Sequence, residues 1–198
     1  MKVSMSLGLL CLLLSQSVAV MAASDFAPAT IQPSLPVDTR CSISVGAAVI
    51  DYGSQSRGQL QRAGSKQILT LGKRTMILSV ACPYSQAMRL TLRGAQAANG
   101  DLRHGDRGST RIYVMDAQVD GRAVQLTSAT SDGVLEGGAA SSLQLQPGKS
   151  FSATQNGHFM KGKTFSARIE VEPVFPESAT RVSARQVDES FMTLELME

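Results

Sequence analysis

The sequence has no tryptophan, and it contains only three cysteines and two histidines among its 198 residues. The two histidines, His104 and His158, lie in separate Gly-rich polar stretches, and neither has a second good ligand at a suitable spacing, so no metal site is predicted. A net charge of +3 is too small to indicate nucleic-acid binding. The composition therefore predicts no cofactor, no metal and no nucleic-acid partner.

Long hydrophobic runs are also scarce, since the one clear run covers residues 7–14. It follows the positively charged Lys2 and precedes the small residues Ala22 and Ala23, the order found in a cleavable secretory signal. The run is shorter than the roughly 20 apolar residues of a membrane span. We expect residues 1–22 to be a signal peptide cut after Ala22 or Ala23; the alternative is an uncleaved anchor.

Two of the three cysteines remain in the mature chain if Cys11 is removed with the signal peptide. Cys41 and Cys82 then remain in an oxidising compartment, where a disulfide is expected between them and two free thiols are the alternative. Closing this loop would stabilise the domain by roughly 4 kcal/mol through its effect on the unfolded chain. The mature chain of about 175 residues is long enough for one domain with its own core.

No segment after Cys41 carries a helical stripe, and many segments alternate apolar and polar residues as β-strands do. Asp120-Gly121 lies between two such segments and predicts a type I′ hairpin turn. Two polar stretches, residues 99–109 and 131–142, are predicted to be surface loops or edge strands flanked by loops. The whole pattern predicts an all-β sandwich. The alternating apolar positions are Met76, Leu78, Val80, Met88, Leu90, Leu92, Ile112, Val114, Val124, Leu126, Leu143, Leu145, Phe165, Ala167, Ile169, Val171, Met192, Leu194 and Leu196.

Residues 157–164 match the G-x-x-x-x-G-K-[ST] pattern of a phosphate-binding loop. Such a loop needs a helix directly after it, whereas residues 165–171 alternate like a strand that ends at Pro173, so no nucleotide is predicted. Arg103, His104, Arg107 and Arg111 form either a solvated loop or a polyanion-binding patch. No G-x-S-x-G elbow or other catalytic constellation is present, and an enzyme is not predicted.

Several segments, taken in order, resemble subunits of chaperone–usher pili (fimbriae), closest to the β-fimbrial probable major subunit type. A cysteine follows an extended, Pro-rich N-terminal arm. The segment 49–53 is similar to the end of the first pilin strand, and 73–83 is similar to the second strand with its cysteine. Residues 159–173 resemble the family's "G-K-x-[FL]…V-x-P" strand, and 191–196 resemble its terminal alternating strand.

This resemblance implies an immunoglobulin-like (pilin-type) sandwich that lacks its last strand, formed by residues 41–198. The arm, residues 23–40, would be the donor strand that completes a neighbouring subunit. Its candidate pocket residues are Phe26, Ala29, Ile31 and Leu35. The residues that would border the acceptor groove are Phe191, Met192, Leu194 and Leu196.

The implied function is that of a structural pilus subunit that supports cell adhesion. Its partners would be a periplasmic pilus chaperone, an outer-membrane usher and neighbouring pilus subunits, with neither nucleic acid nor nucleotide. The chain would pass through the periplasm to a fimbrium at the bacterial surface. Two alternatives remain from the sequence: an adhesin or carbohydrate-binding minor subunit, and a secreted periplasmic β-domain enzyme.

Overall fold

The computed structural model describes residues 40–64, 67–130 and 132–197, all of which belong to one compact unit, residues 37–198. These ranges contain fifteen strands, two short 3₁₀ turns (Arg57–Gln59 and Glu177–Thr180) and no α-helix. The strands are β1 (Ser42–Val45), β2 (Gln61–Arg62), β3 (Ile68–Thr70), β4 (Arg74–Ala87), β5 (Arg89–Gly94), β6 (Leu102–His104), β7 (Gly108–Val119), β8 (Arg122–Ala123), β9 (Gln125–Ala129), β10 (Leu135–Ala140), β11 (Ser142–Leu145), β12 (Ser150–Gln155), β13 (His158–Phe159), β14 (Lys161–Pro176) and β15 (Met192–Met197).

The strands form two antiparallel sheets. In the first sheet β14 is central, with β4 on one side and β7 on the other. β1 pairs with β4, β3 pairs with the C-terminal end of β14 and with β2, and β6, β8 and β11 flank β7. In the second sheet the order is β10-β9-β12-β5-β15, and β13 pairs with β12. The arrangement confirms the predicted all-β, immunoglobulin-like sandwich.

One core lies between the sheets, because alternate side chains of each strand point inward. The first sheet contributes Leu78, Val80, Ile112, Val114, Phe165 and Ile169, and the second contributes Leu90, Leu92, Leu126 and Phe151. These side chains are almost fully buried. Removing their apolar surface from water is the main force that holds the two sheets together.

Two local predictions are confirmed by the backbone. Asp120 and Gly121 both have positive φ, 48° and 75°, as a type I′ turn requires. The stretch 131–142 is the edge-strand alternative, because it contains β10, which among the described strands pairs with β9 alone. No helix among the described residues is long and apolar enough to cross a membrane.

The stretch 99–109 also follows the edge-strand alternative, because it contains β6, which forms a hairpin with the start of β7. Two details differ from the sequence predictions. His104 at the end of β6 is buried rather than solvated. β14 does not end at Pro173: although proline has no N–H to donate, its carbonyl oxygen accepts from the Leu71 amide and the Thr70 hydroxyl, and the strand runs on to Pro176.

Candidate functional site

The candidate site is an open edge of the sandwich, bordered by β1 and β15. β4 passes directly into β5 at Met88, so the two sheets are joined on this side of the molecule. β1 lies outside β4 in the first sheet, and β15 lies outside β5 in the second. β1 pairs with β4 alone, and β15 pairs with β5 alone, among the residues that the structure describes. Within the described ranges, the outer edge of each strand therefore has no backbone partner and is open to pairing with a further strand.

The inward side chains along this edge are apolar but incompletely covered. Ile43 and Val45 of β1 pack against the core and are only partly buried. Leu90 and Leu92 of β5 are 0% exposed, whereas Leu194 on the neighbouring β15 is only partly buried. Because the core is well covered one strand inward and not at its margin, a further strand laid along the edge would bury more apolar surface.

β15 alternates regularly from Met192 to Leu196. Met192, Leu194 and Leu196 face the core, while Thr193 and Glu195 are exposed. On the outer face, the Glu195 carboxylate accepts a hydrogen bond from Arg93 Nε at 2.7 Å. The strand therefore has an apolar side toward the core and an outer backbone edge that no other described strand pairs with.

The opposite edge strand, β10, is built differently. Its pairing with β9 is interrupted by a register shift between Glu136 and Ala140. Gly137 and Gly138 lie in this irregular part and are exposed. Bulges, charges and glycines are common ways in which proteins protect an edge strand from pairing with another chain. The described pairing of β15 with β5 has no such interruption, so β15 is the more regular of the two edge strands.

The predicted groove residues occupy this edge. Met192, Leu194 and Leu196 lie on β15, and Phe191 directly precedes the strand with 78% of its surface exposed. The predicted donor-arm residues Phe26, Ala29, Ile31 and Leu35 lie outside the described residues.

The structure contains the disulfide between Cys41 and Cys82, which ties the residue before β1 to the middle of β4.

The phosphate-loop pattern has a structural explanation that involves no phosphate. The pairing of β14 with β4 has a register shift between Gly162 and Thr164, which makes the ladder irregular at this point. The amides of Lys163 and Thr164 donate to Asp120 Oδ1 at 3.0 and 2.8 Å, and the Thr164 hydroxyl donates at 3.1 Å. These bonds hold the Asp120 pKa below its usual value. An internal carboxylate thus occupies the position that an anion would take.

A polar cavity of about 620 Å³ lies on the outer face of the first sheet, between the β2–β3 hairpin and β7. Its charged groups are largely matched among themselves. Lys73 Nζ donates to Glu170 at 2.7 Å, a bond that raises the Lys73 pKa. Arg111 lies 3.9 Å from Glu172. Within the described ranges no group of three or more His, Cys, Asp or Glu side chains is arranged to hold a metal ion.

The sequence patterns gave no sign of one buried polar network, formed by His104, Thr110 and Ser190. His104 Nδ1 lies 2.8 Å from the Ser190 hydroxyl, which lies 2.7 Å from the Thr110 hydroxyl. Burial lowers the pKa of His104, and the nearby charge of Asp188 opposes this effect. Ser190 stands two residues before β15, so this network lies at one end of the open edge.

No protein-family model matches the sequence. No curated protein matches it either. Among solved structures, the chain is similar to the crystal structure of the P pilus rod subunit PapA, with 15% sequence identity and a TM-score of 0.34, over 79% of this chain and 96% of that chain. The fold assignment above comes from the strands and sheets themselves and not from this likeness.

Proposed function

We propose that this protein is a structural subunit of a chaperone–usher pilus, polymerised by donor-strand exchange and supporting attachment of the cell. The observation that carries the proposal is the open edge between β1 and β15, where the apolar core is incompletely covered. An apolar margin beside unpaired backbone groups is unfavourable in water and favours pairing with an added strand.

The proposed occupant is the arm of a second copy, residues 23–40. Its three prolines oppose helix formation and favour extended backbone. In a regular strand Ala29, Ile31 and Leu35 share one face, because side chains alternate with a period of two. Residues 26–35 would extend over about 30 Å, which exceeds the length of the six-residue β15. Phe26 would need a local irregularity to reach the same face.

The same edge accounts for the proposed partners. Before assembly, a periplasmic chaperone would supply the missing strand and keep the apolar margin out of water. At an outer-membrane usher, the arm of the next subunit would replace the chaperone. The chain would thus be exported to the periplasm and then incorporated into a fimbrium at the cell surface.

The test compares two forms of the exported chain: the chain itself, and an arm-appended chain, which carries a second copy of residues 23–40 joined by a flexible Gly-Ser linker after residue 198. We expect the chain itself to self-associate or to be unstable, and the arm-appended chain to be a monomer with a cooperative unfolding transition. Sedimentation and thermal unfolding at pH 7.5 measure both properties.

The matched control carries Ile31→Asp and Leu35→Asp in the appended copy alone, because a buried unpaired carboxylate opposes docking. It should behave like the chain without an appended arm. The proposal is wrong if the unmodified chain is a stable monomer, or if the control copy rescues as well as the natural arm does.

A further inference from the structure

The segment that leads into β15 is fastened to the β6–β7 hairpin at several points. The Gly105 amide donates to the Glu189 carbonyl oxygen at 2.9 Å. The Ser190 hydroxyl lies 2.9 Å from the Arg103 carbonyl oxygen. Arg107 donates to the Gln186 side chain at 3.2 Å. These contacts fix the position from which β15 starts.

The hydrogen bonds at Ser190 define where the proton on His104 lies. A carbonyl oxygen only accepts, so the single hydroxyl proton of Ser190 goes to the Arg103 carbonyl. The Thr110 hydroxyl and His104 Nδ1 then both donate to the Ser190 oxygen. The neutral ring therefore carries its proton on Nδ1, which leaves Nε2 without a proton. Nε2 is buried and has no hydrogen-bond partner among the described residues.

The His104 ring is buried, and one of its neighbours is an aromatic side chain of β14. His104 is 6% exposed, and its ring meets the Phe175 ring of β14 edge-on at 5.3 Å. Gly108 stands opposite His104 in the hairpin, and a Cβ there would come within 2.7 Å of the Phe175 ring. The absence of a side chain at Gly108 thus lets Phe175 of β14 cover the histidine.

The charged groups near the ring belong to the hairpin and to the segment that it holds. Arg103 and Arg107 are exposed on the hairpin. The segment contributes the exposed Glu189 and the partly buried Asp188, whose negative charge acts on the ring. β14 and β7 contribute the uncharged Phe175 and Gly108. Only the Asp188 charge favours protonation, while burial opposes it and lowers the His104 pKa.

We propose that His104 and Ser190 form a pH-dependent latch, which holds the start of β15 at neutral pH and releases it in acid. Protonation would place a second N–H on Nε2, in a buried position that offers no acceptor. The imidazolium gains hydrogen bonds by turning outward to water, and this breaks its bond to Ser190. The proposal rests on the proposed function, because the edge that the latch controls is the one where the donor strand docks.

The direction of the pH effect follows from the lowered pKa. An unfolded or released histidine titrates near 6.5, and the latched His104 titrates below that value. The latched state therefore has its full stability above about pH 6.5 and loses it as the pH falls toward the folded pKa. Acid would loosen β15 without requiring the rest of the core to open.

The experiment measures amide hydrogen exchange in the full mature chain at pH 7.5 and pH 5.0, corrected for intrinsic exchange rates. We expect exchange in β15 to increase in acid, on the order of tenfold for each unit by which the pKa is lowered, while β12 of the same sheet changes little. Ser190→Ala should give fast exchange in β15 at both pH values. His104→Asn should remove the pH response, because its side-chain amide can still donate to Ser190.

His158 provides a matched control, because it is the other histidine of the chain and is exposed. His158→Asn should keep the full pH response of β15. It also leaves a single histidine signal, so that an NMR titration can compare the chemical shifts of the β15 amides with the protonation of the His104 ring, and the two should change together. The latch is refuted if β15 responds to pH in His104→Asn as in the parent, if β12 responds equally, or if the β15 shifts do not follow the ring.

These outcomes are independent of the test of polymerisation, which is carried out at pH 7.5. A chain that is a stable monomer at that pH and still shows the β15 response would refute the proposed function and leave the latch in place. A chain that depends on an added arm but shows no β15 response would refute the latch alone.

Discussion

Asp120 shows how one side chain joins three strands. Its backbone forms the turn between β7 and β8, and its carboxylate accepts two amide bonds and one hydroxyl bond from Lys163 and Thr164 of β14. The Asp120 amide in turn donates to the Thr164 carbonyl oxygen at 3.0 Å. The residue therefore anchors the hairpin turn to the irregular start of the central strand.

Replacing Asp120 by Ala should destabilise the fold at neutral pH. In the arm-appended chain we expect the unfolding midpoint to fall by about 2–4 °C, since the β14 amides lose their acceptor. The folded pKa of Asp120 is lowered, so its contribution is complete above the unfolded value near 3.9 and is lost as the pH falls below it. The difference between variant and parent should therefore shrink in acid.

Thermal unfolding at pH 7 and at pH 3 measures this difference. Asp106→Ala is the matched control, because Asp106 is exposed in the β6–β7 turn and has no ion pair or side-chain hydrogen bond among those found in the described ranges. A midpoint difference for Asp120→Ala that is the same at both pH values would contradict the role given to its ionised carboxylate.

For single residues, the sequence indicated which motifs and side chains to consider, but it did not predict their contacts. The prediction that a strand rather than a helix follows the pattern G-x-x-x-x-G-K-[ST] is confirmed, since residues 161–176 form β14. The hydrogen bonds from the amides of this pattern to Asp120 could not be predicted from the sequence. Asp120 and Lys163 are 43 residues apart, and no local pattern connects them. His104 was expected to be solvated, since its neighbours are polar. It is buried because Phe175, from a distant strand, covers it.

At the scale of strands, β5 and β15 are neighbours with different degrees of burial. Leu90 pairs with Leu196, and Leu92 pairs with Leu194. The β5 leucines are fully buried, whereas their β15 partners are partly exposed at the open edge. The same side-chain type thus contributes to the core in one strand and, under the proposed function, to an interface in the next.

Leu90→Ala and Leu194→Ala should therefore have separable effects. Leu90→Ala should lower the free energy of unfolding of the arm-appended chain by about 2–5 kcal/mol, the cost of a cavity in a core. Leu194→Ala should weaken binding of a labelled peptide of residues 23–40 to the full chain by about tenfold or more, through lost apolar contact.

Chemical denaturation and fluorescence anisotropy are the two measurements. Thr193→Ala serves as the control, because Thr193 lies on the same strand and points outward; it should leave peptide affinity within about twofold, as expected for a surface position. Equal peptide affinity for Leu194→Ala and Thr193→Ala would contradict the groove at β15.

Alternation predicted the long strands well, because β4, β7, β14 and β15 each bury one face against the core. It missed the two-residue strands β2, β8 and β13, which are too short to show a period. It also ended β14 too early, at Pro173. A proline removes one donor, and the strand continues because its carbonyl is still paired with Thr70 and Leu71.

For the whole molecule, the disulfide is the only covalent link between distant segments in the described ranges. It joins residues 41 positions apart and fixes the beginning of β1 to β4. β1 is held otherwise by a short ladder of four residue pairs. A strand this short, at an open edge, gains much of its stability from a link that limits the freedom of the unfolded chain.

Replacing Cys41 and Cys82 together by Ser should lower the free energy of unfolding of the arm-appended chain by roughly 4 kcal/mol. Denaturant titration measures the change, and treatment with a reductant should reduce the stability of the parent by a similar amount while leaving the double variant unaffected. An oxidised parent no more stable than the double variant would show that the link does not stabilise the fold.

The position of the same disulfide also determines how the molecule would bear tension. A pull on the chain at residue 40 reaches Cys41 at once and passes through the sulfur bridge to Cys82 in the middle of β4. The short β1 ladder lies beyond this point and carries little of the load. Force instead enters β4, which is paired with the long central strand β14 along ten residue pairs. In a filament linked through such arms, each joint would be anchored covalently to the most extensively paired part of its subunit.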